Sequence, residues 1–418
     1  MSGLSRSAGR MVRAAAAAVA LTVAGCGPAP SPAGTGSVPP SPRPSAGSAH
    51  AASPASSQYP VVVPHRQVLP RHLLVTGWGP EPGRPWSHRL LLAGAFTDVV
   101  SAGDVLYLLQ TLPGLAEPMQ LLVRVDLRTG TVGYADQLVP VSGTAPVVVN
   151  RSGVWLLGWA WLSLNLERSG PLTLYRFDPG TLGLISRRVV GPGGCCEQAT
   201  LTGWTGGRLW LSAGPIVRLI NPVPWTVLQT VRIRPGQVQW MSFSPDRRTV
   251  YLAITRAGAS GSPLLQERAL PSWQLVHIRT VSGNLTLGPI SAADTALWVA
   301  VGGGTTGGIQ LFAGDLSHVR LALGAGELAR GPEETHFFAF ANSVRATVLA
   351  GVTWLTADNA LACLQPDTGQ VLAEQPGDQT RGPIITADPA AANGDIYGLG
   401  AGGLIQLRPP AACQRPRQ

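Results

Sequence analysis

Short apolar runs with an aromatic at the centre recur along the chain. The first is Val105-Leu106-Tyr107-Leu108-Leu109, and Val154-Trp155-Leu156-Leu157 and Leu209-Trp210-Leu211 follow. Val250-Tyr251-Leu252, Leu297-Trp298-Val299, Thr353-Trp354-Leu355 and Ile396-Tyr397-Gly398 continue the series. Turn-forming residues precede most of them, as in Gly103-Asp104, Ser152-Gly153, Gly206-Gly207 and Asn393-Gly394-Asp395. The seven aromatics stand 41 to 56 residues apart, about 48 on average, close to the period of propeller blades. A continuous apolar run, as opposed to alternation, marks a strand buried on both faces. Propeller blades pack face to face around a channel and give their strands that environment, and aromatic and β-branched side chains fill the wedge between neighbours. A sandwich would account for two or three such runs. Seven at this spacing predict an all-β fold, a β-propeller of seven blades.

A second pattern repeats further along each unit. Val123-Arg124-Val125-Asp126-Leu127-Arg128-Thr129-Gly130, Leu174-Tyr175-Arg176-Phe177-Asp178-Pro179-Gly180-Thr181 and Ala362-Cys363-Leu364-Gln365-Pro366-Asp367-Thr368-Gly369 are each a strand that ends in Asp, Pro, Thr or Gly. That is a hairpin signal. Together with Phe243-Ser244-Pro245-Asp246-Arg247-Arg248, in which Arg247 stands where such turns carry glycine, these segments resemble the quinoprotein-like and YVTN-type propeller repeats. The resemblance spans roughly residues 95–408 and implies a fold more than an activity. The tryptophan that closes many quinoprotein repeats is missing after Gly130 and Gly369, so no quinone or other cofactor is expected. The last repeat runs out one strand early, because Leu404-Ile405-Gln406-Leu407 meets Pro409-Pro410, which cannot continue a ladder. Leu73-Leu74-Val75 and Leu90-Leu91-Leu92, upstream of the first repeat, are the expected donors of the missing strand.

The N-terminus reads differently. Arg6, Arg10 and Arg13 form a positive segment, and Ala14 to Val23 form an apolar one too short to span a bilayer. Residues 1–25 thus read as a signal peptide. Its end, Val23-Ala24-Gly25-Cys26, resembles a bacterial lipobox, which implies acylation of Cys26 and a stable membrane anchor. Residues 26–58 hold that cysteine and a Pro/Ser/Ala-rich tether with almost nothing to bury. Residues 59–413 are assigned to the propeller and 414–418 to a C-terminal tail.

Composition adds little but excludes some classes. With 51 Gly and 37 Pro in 418 residues, about a fifth of the chain suits many short strands joined by turns. The net charge of +9 falls to +6 once cleavage before Cys26 removes three arginines and no acid. The remaining arginines are scattered without a cluster, which argues against nucleic acid and for a mildly basic surface facing anionic lipid or wall polymer.

Candidate chemistry is sparse. Four cysteines remain after Cys26, and an exported protein can keep disulfides. Cys195, Cys196, Cys363 and Cys413 allow three pairings; adjacent blades bring Cys363 and Cys413 near each other, leaving Cys195 and Cys196 as a vicinal disulfide or a reduced pair. No Cys-x-x-Cys or neighbouring His completes a metal site. Glu333-Glu334-Thr335-His336 reads as an exposed turn, and Gly302 to Gly308 as a hairpin turn, since it lacks the lysine and helix of a phosphate loop. There is no nucleophile elbow and no conspicuous carboxylate pair, so no catalytic residue is assigned. Trp159 and Trp161 are the candidate ligand-contact aromatics, able to stack on sugar or peptide. The expectation is a membrane-anchored, extracytoplasmic binding or scaffolding module with an unidentified protein or envelope-polymer partner. The rival is a propeller enzyme, a lyase or hydrolase, acting on envelope polymers at the channel mouth.

Overall fold

The computed structural model describes residues 87–112, 119–140, 147–158, 171–191, 199–256, 262–281, 286–302, 308–324, 345–357, 360–376, 389–400 and 402–414. They form seven four-stranded antiparallel sheets. Blade 1 is Phe96–Ala102, Val105–Thr111, Met119–Asp126 and Thr131–Pro140 (β2 to β5). Blade 2 is Val148–Asn150, Gly153–Gly158, Leu172–Phe177 and Leu184–Gly191 (β6 to β9). Blade 3 is Ala199–Gly203, Leu209–Ala213, Ile216–Pro222 and Trp225–Arg232 (β10 to β13), and blade 4 is Gln237–Phe243, Thr249–Thr255, Leu264–Ala269 and Gln274–Thr280 (β14 to β17). Blade 5 is Thr286–Ala292, Ala296–Gly302, Gly308–Ala313 and Val319–Gly324 (β18 to β21). Blade 6 is Arg345–Leu349, Val352–Ala357, Ala360–Leu364 and Val371–Pro376 (β22 to β25). Ala390–Ala392, Asp395–Gly400 and Gly403–Arg408 (β26 to β28) make three strands of blade 7, and Ser87–Ala93 (β1) is the fourth.

The opening strand of each blade is innermost. β2 touches β6, β6 touches β10, and the series continues through β14, β18 and β22, while β26 returns to β2. This ring of sheets is a seven-bladed β-propeller. The aromatics that mark the repeat all lie on the second strand, third from its start in six blades and second in blade 3. All are buried, none more than 5% exposed. Their cross-strand partners are equivalent too: Tyr107 pairs with Val100 and Arg124, Trp298 with Ser291 and Leu311, Trp354 with Thr347 and Cys363. A large ring at this position meets the next sheet as well as its own, which is why the sequence repeats it.

Closure is made by the N-terminal strand. β1 pairs antiparallel with β28, from Ser87 opposite Arg408 to Ala93 opposite Gly403. Leu90-Leu91-Leu92 is therefore the donor, whereas Leu73-Leu74-Val75 lies outside the described residues. A polar ladder crosses the seam. Arg89 Nε donates to Gln406 Oε1 at 2.5 Å, Gln406 Nε2 donates to Asp395, and Arg408 stands 3.5 Å from the same carboxylate. Burial, followed by the charge of Asp395, pushes the neighbouring Tyr397 phenol up to about 12. A disulfide then joins Cys363, on the third strand of blade 6, to Cys413 beyond the last strand, with Cα atoms 6.0 Å apart.

Candidate interaction face

In blades 1 to 6 the turn between the first and second strands and the turn between the third and fourth lie at the same end, and in blade 7 the β26–β27 turn and the end of β28 lie there too. One face of the ring is built from them. The second kind of turn contains the repeated Asp/Pro/Thr/Gly signature, and its geometry explains the composition. In blade 1 the Asp126 carboxylate accepts the backbone N–H of Arg128 (3.1 Å) and Thr129 (2.9 Å), and Gly130 N–H donates to Asp126 O at 2.8 Å. Blade 2 repeats this with Asp178, Gly180 and Thr181, and Leu182 N–H returns to Asp178 O at 2.9 Å. Gly369 and Trp273 close the same five-residue loop in blades 6 and 4. The closing residue is left-handed each time, with φ of 70° at Gly130, 60° at Leu182, 59° at Trp273 and 75° at Gly369. Glycine takes that conformation freely. Leu182 and Trp273 take it under strain, but both are buried, and burial of a large side chain offsets the strain. Arg247 likewise stands at φ 60°, with its guanidinium 5.2 Å from the Trp204 ring. The backbone N–H of Thr129 and of Thr181 hold the Asp126 and Asp178 carboxyls below their usual range, and the Ser244 and Ser317 hydroxyls do the same for Asp246 and Asp315.

These turns also bolt the blades together. Tyr107 of blade 1 donates its hydroxyl to Pro179 O in the turn of blade 2, at 2.8 Å. Tyr251 of blade 4 donates to Gly314 O of blade 5 (3.0 Å), and Trp298 of blade 5 donates through Nε1 to Pro366 O of blade 6 (2.8 Å). Between blades 3 and 4 an edge-on ring contact replaces the hydrogen bond, with Trp210 and Trp273 centroids 5.0 Å apart. The aromatic of one blade and the turn signature of the next are thus two halves of one contact.

Two hollows lie on this face, on either side of the C-terminal segment. The larger, about 600 Å³, is bounded by Trp354, Ile396, Asn393, Asp395, Arg408 and Gln414. The smaller, about 430 Å³, is bounded by Asp294, Gln365, Asp367, Val348, Leu372 and Gln414. Gln414 belongs to both, and the short helical turn Ala411–Cys413 that carries it is pinned by the disulfide. The walls are fixed as well. Asp367 Oδ1 accepts Thr295 N at 2.7 Å and Thr295 Oγ1 at 3.0 Å, and Arg320 donates to Asp367 O at 3.0 Å. Carboxylates and amides over an apolar floor suit a ligand rich in hydroxyl, amide or cationic groups.

Among the described residues no group of three or more His, Cys, Asp or Glu could hold a metal ion. His277 Nδ1 meets Glu267 Oε2 at 2.6 Å, a cross-strand pair on blade 4 between an exposed imidazole and a half-buried carboxylate. Of the residues singled out from sequence, the structure brings Cys363 and Cys413 together. Cys26, Cys195, Cys196, Trp159, Trp161 and the segments around His336 and Gly304 lie outside the described residues. The sequence marks the residues bounding the hollows only as strand or turn residues: Asn393, Asp395 and Gln365 look like ordinary turn residues, and only the path of the C-terminus gathers them.

No protein-family model matches the chain, and no curated protein does either. Among solved structures, BamB from Moraxella catarrhalis is similar with a TM-score of 0.44 and 11% identity, over 76% of this chain and 85% of that one. The class therefore rests on the sheet topology: a seven-bladed β-propeller closed by its N-terminal strand.

Proposed function

We propose that this chain is a quinoprotein-like lipoprotein. Cys26 carries the acyl anchor, residues 27–58 act as a spacer, and the propeller stands on the extracytoplasmic face of the cell membrane. There it serves as a binding module, not a catalyst, for an envelope polymer or an envelope protein. The carrying observation is the pair of hollows flanking the disulfide-pinned Gln414, with walls already held by hydrogen bonds of the turns. A preorganised concavity needs little ordering when it binds. Two measurements test this. In cells, the Cys26→Ser chain should move from the detergent phase to the aqueous phase after a high-salt wash; retention in the detergent phase refutes the anchor. With solubilised envelope polymer in a calorimeter, Asp294→Ala and Gln365→Ala together should weaken binding by about tenfold or more, as expected for losing about 1.4 kcal/mol. Equal affinity of the wild type and that variant removes the smaller hollow from the reading, and equal affinity of a variant carrying Asn393→Ala and Arg408→Ala removes the larger.

A further inference from the structure

The described residues leave nine large apolar side chains exposed, and eight of them belong to three consecutive blades. Blade 2 presents Ile185 and Val189 from β9, and blade 4 presents Leu275, Val276 and Ile278 from β17. Between them, blade 3 presents Val227 and Leu228 from β13, with Val223 in the turn before it. These are the outermost strands, each with one edge that no described strand pairs. A strand with one covered face alternates between buried and exposed. Here residues 185–189, 226–228 and 274–278 are exposed consecutively, so both faces of each strand protrude from the rim.

The three strands share a charge pattern. β9 and β13 carry Arg187, Arg188 and Arg232, all exposed, β17 carries the half-buried Arg279, which donates to Leu316 O, and none of the three carries Asp or Glu. The outer strands of blades 5 and 7, with Arg320 and Arg89, are also free of acids but add nothing to the exposed apolar set, whereas that of blade 1 carries Asp136 and that of blade 6 carries Glu374. Contacts between blades make the patch continuous. The Arg188 guanidinium lies 4.6 Å from the Trp225 ring of blade 3, and Gln229 of that blade donates to Pro271 O of blade 4 at 3.2 Å.

A concentrated apolar patch marks an interaction surface. A second copy is a poor occupant, because Arg187 and Arg188 would face like charge across a two-fold contact. An anionic bilayer satisfies both features. Its headgroup boundary accepts Leu, Ile and Val side chains, its phosphates pair with guanidinium forks, and its water solvates the open strand edges. We infer that the rim of blades 2 to 4 docks on an anionic phospholipid surface, laying the propeller edge-on against the membrane. The inference gains from the proposed tether, which would raise the local concentration of lipid, but its chemistry does not require an acyl chain.

The test uses the full chain carrying Cys26→Ser, with vesicles of phosphatidylcholine alone or mixed with phosphatidylglycerol. The chain should sediment with the mixed vesicles, far less with the neutral ones, and less as salt rises. Leu228→Ser with Val276→Ser should weaken sedimentation at least tenfold, as should Arg187→Ser with Arg188→Ser, while Val371→Ser on blade 6 should not. All five positions are exposed, and an unchanged melting temperature verifies the fold. Equal binding to both vesicle types, or rim variants that bind like their parent, overturns the inference. So does a salt-sensitive dimer that the rim variants dissolve while vesicles bind nothing. Each of these results leaves the anchor untouched, since the anchor is judged by detergent partitioning after salt has stripped any peripheral contact.

Discussion

Replacing both Cys363 and Cys413 by alanine removes the covalent tie between blade 6 and the segment beyond blade 7. The bridge spans 50 residues. In the chain-entropy account, closing a loop of that length removes about 14 cal/mol/K from the unfolded ensemble, or about 4 kcal/mol at 25 °C. Unfolding entropy scales with length, so a propeller reaching from Ser87 to Cys413 should melt with about 0.7 kcal/mol/K, and the loss should lower Tm by about 6 °C. Cys363 and Cys413 are also buried, so losing their sulfurs deepens the effect slightly. Scanning calorimetry of wild type and variant, each with and without a reducing agent, measures it. The wild type should fall on reduction and the variant should start low. Hydrogen exchange should show residues 411–414 opening first, since Ala411–Cys413 is a single turn with little else to hold it. A double variant within about 1 °C of wild type would show that the cross-link does not restrict the unfolded chain as argued, and the reasoning would fail.

Other perturbations isolate other contacts. Tyr107→Phe and Tyr251→Phe keep the buried ring and delete only the hydroxyl that reaches the next blade; each should cost about 1 kcal/mol in denaturant titration, and no change would mean that the inter-blade bond is idle. Gly403 sits at φ 138° where an added Cβ would lie 2.0 Å from Leu92 O on the closing strand. Gly403→Ala should therefore destabilise by about 3 kcal/mol or more, and loss of exchange protection should begin in β1, whereas Gly133→Ala, with nothing within 4 Å, should stay near neutral. The turn carboxyls of Asp126, Asp178, Asp246 and Asp315 are held below their usual range by hydrogen bonds. A depressed folded value means stability that is present above the unfolded carboxylate pKa of about 3.9 and lost as pH falls through the folded values. Tm should accordingly be flat from pH 7 to 5 and drop below about 4; a fall of the same size in Asp178→Asn with Asp315→Asn would assign the loss to other groups.

The ring was legible because its period is written in large buried side chains. Tyr107, Trp155, Trp210, Tyr251, Trp298, Trp354 and Tyr397 mark one position in seven sheets, and burial on both faces admits little else there. The missing strand was legible for a similar reason, since Pro409 and Pro410 stop the last ladder after Arg408. The inter-blade bolt was not. It joins Tyr107 to Pro179 across 72 residues, and each half is explained locally, one as core and one as turn. Leu182 and Trp273 were hidden because they hold a glycine position with bulky side chains, and strain offset by burial has no sequence signature. The rim was hidden because Leu275-Val276-His277-Ile278 reads like any strand; its exposure depends on being outermost. The two hollows follow from the path of the C-terminal segment, which one of three cysteine pairings sets.

Blade 7 is assembled from the two ends of the propeller. Ala93 and Gly403 face each other across 310 residues of chain. Because the chain emerges N-terminus first, whether from the ribosome or from an export channel, β1 has no partner until β28 follows it. Six blades can form during that interval, but the ring cannot shut. A chain cut short before Gly403 leaves β1 without its partner and the ring unclosed, so an open ring marks every copy that stops short of its last strand.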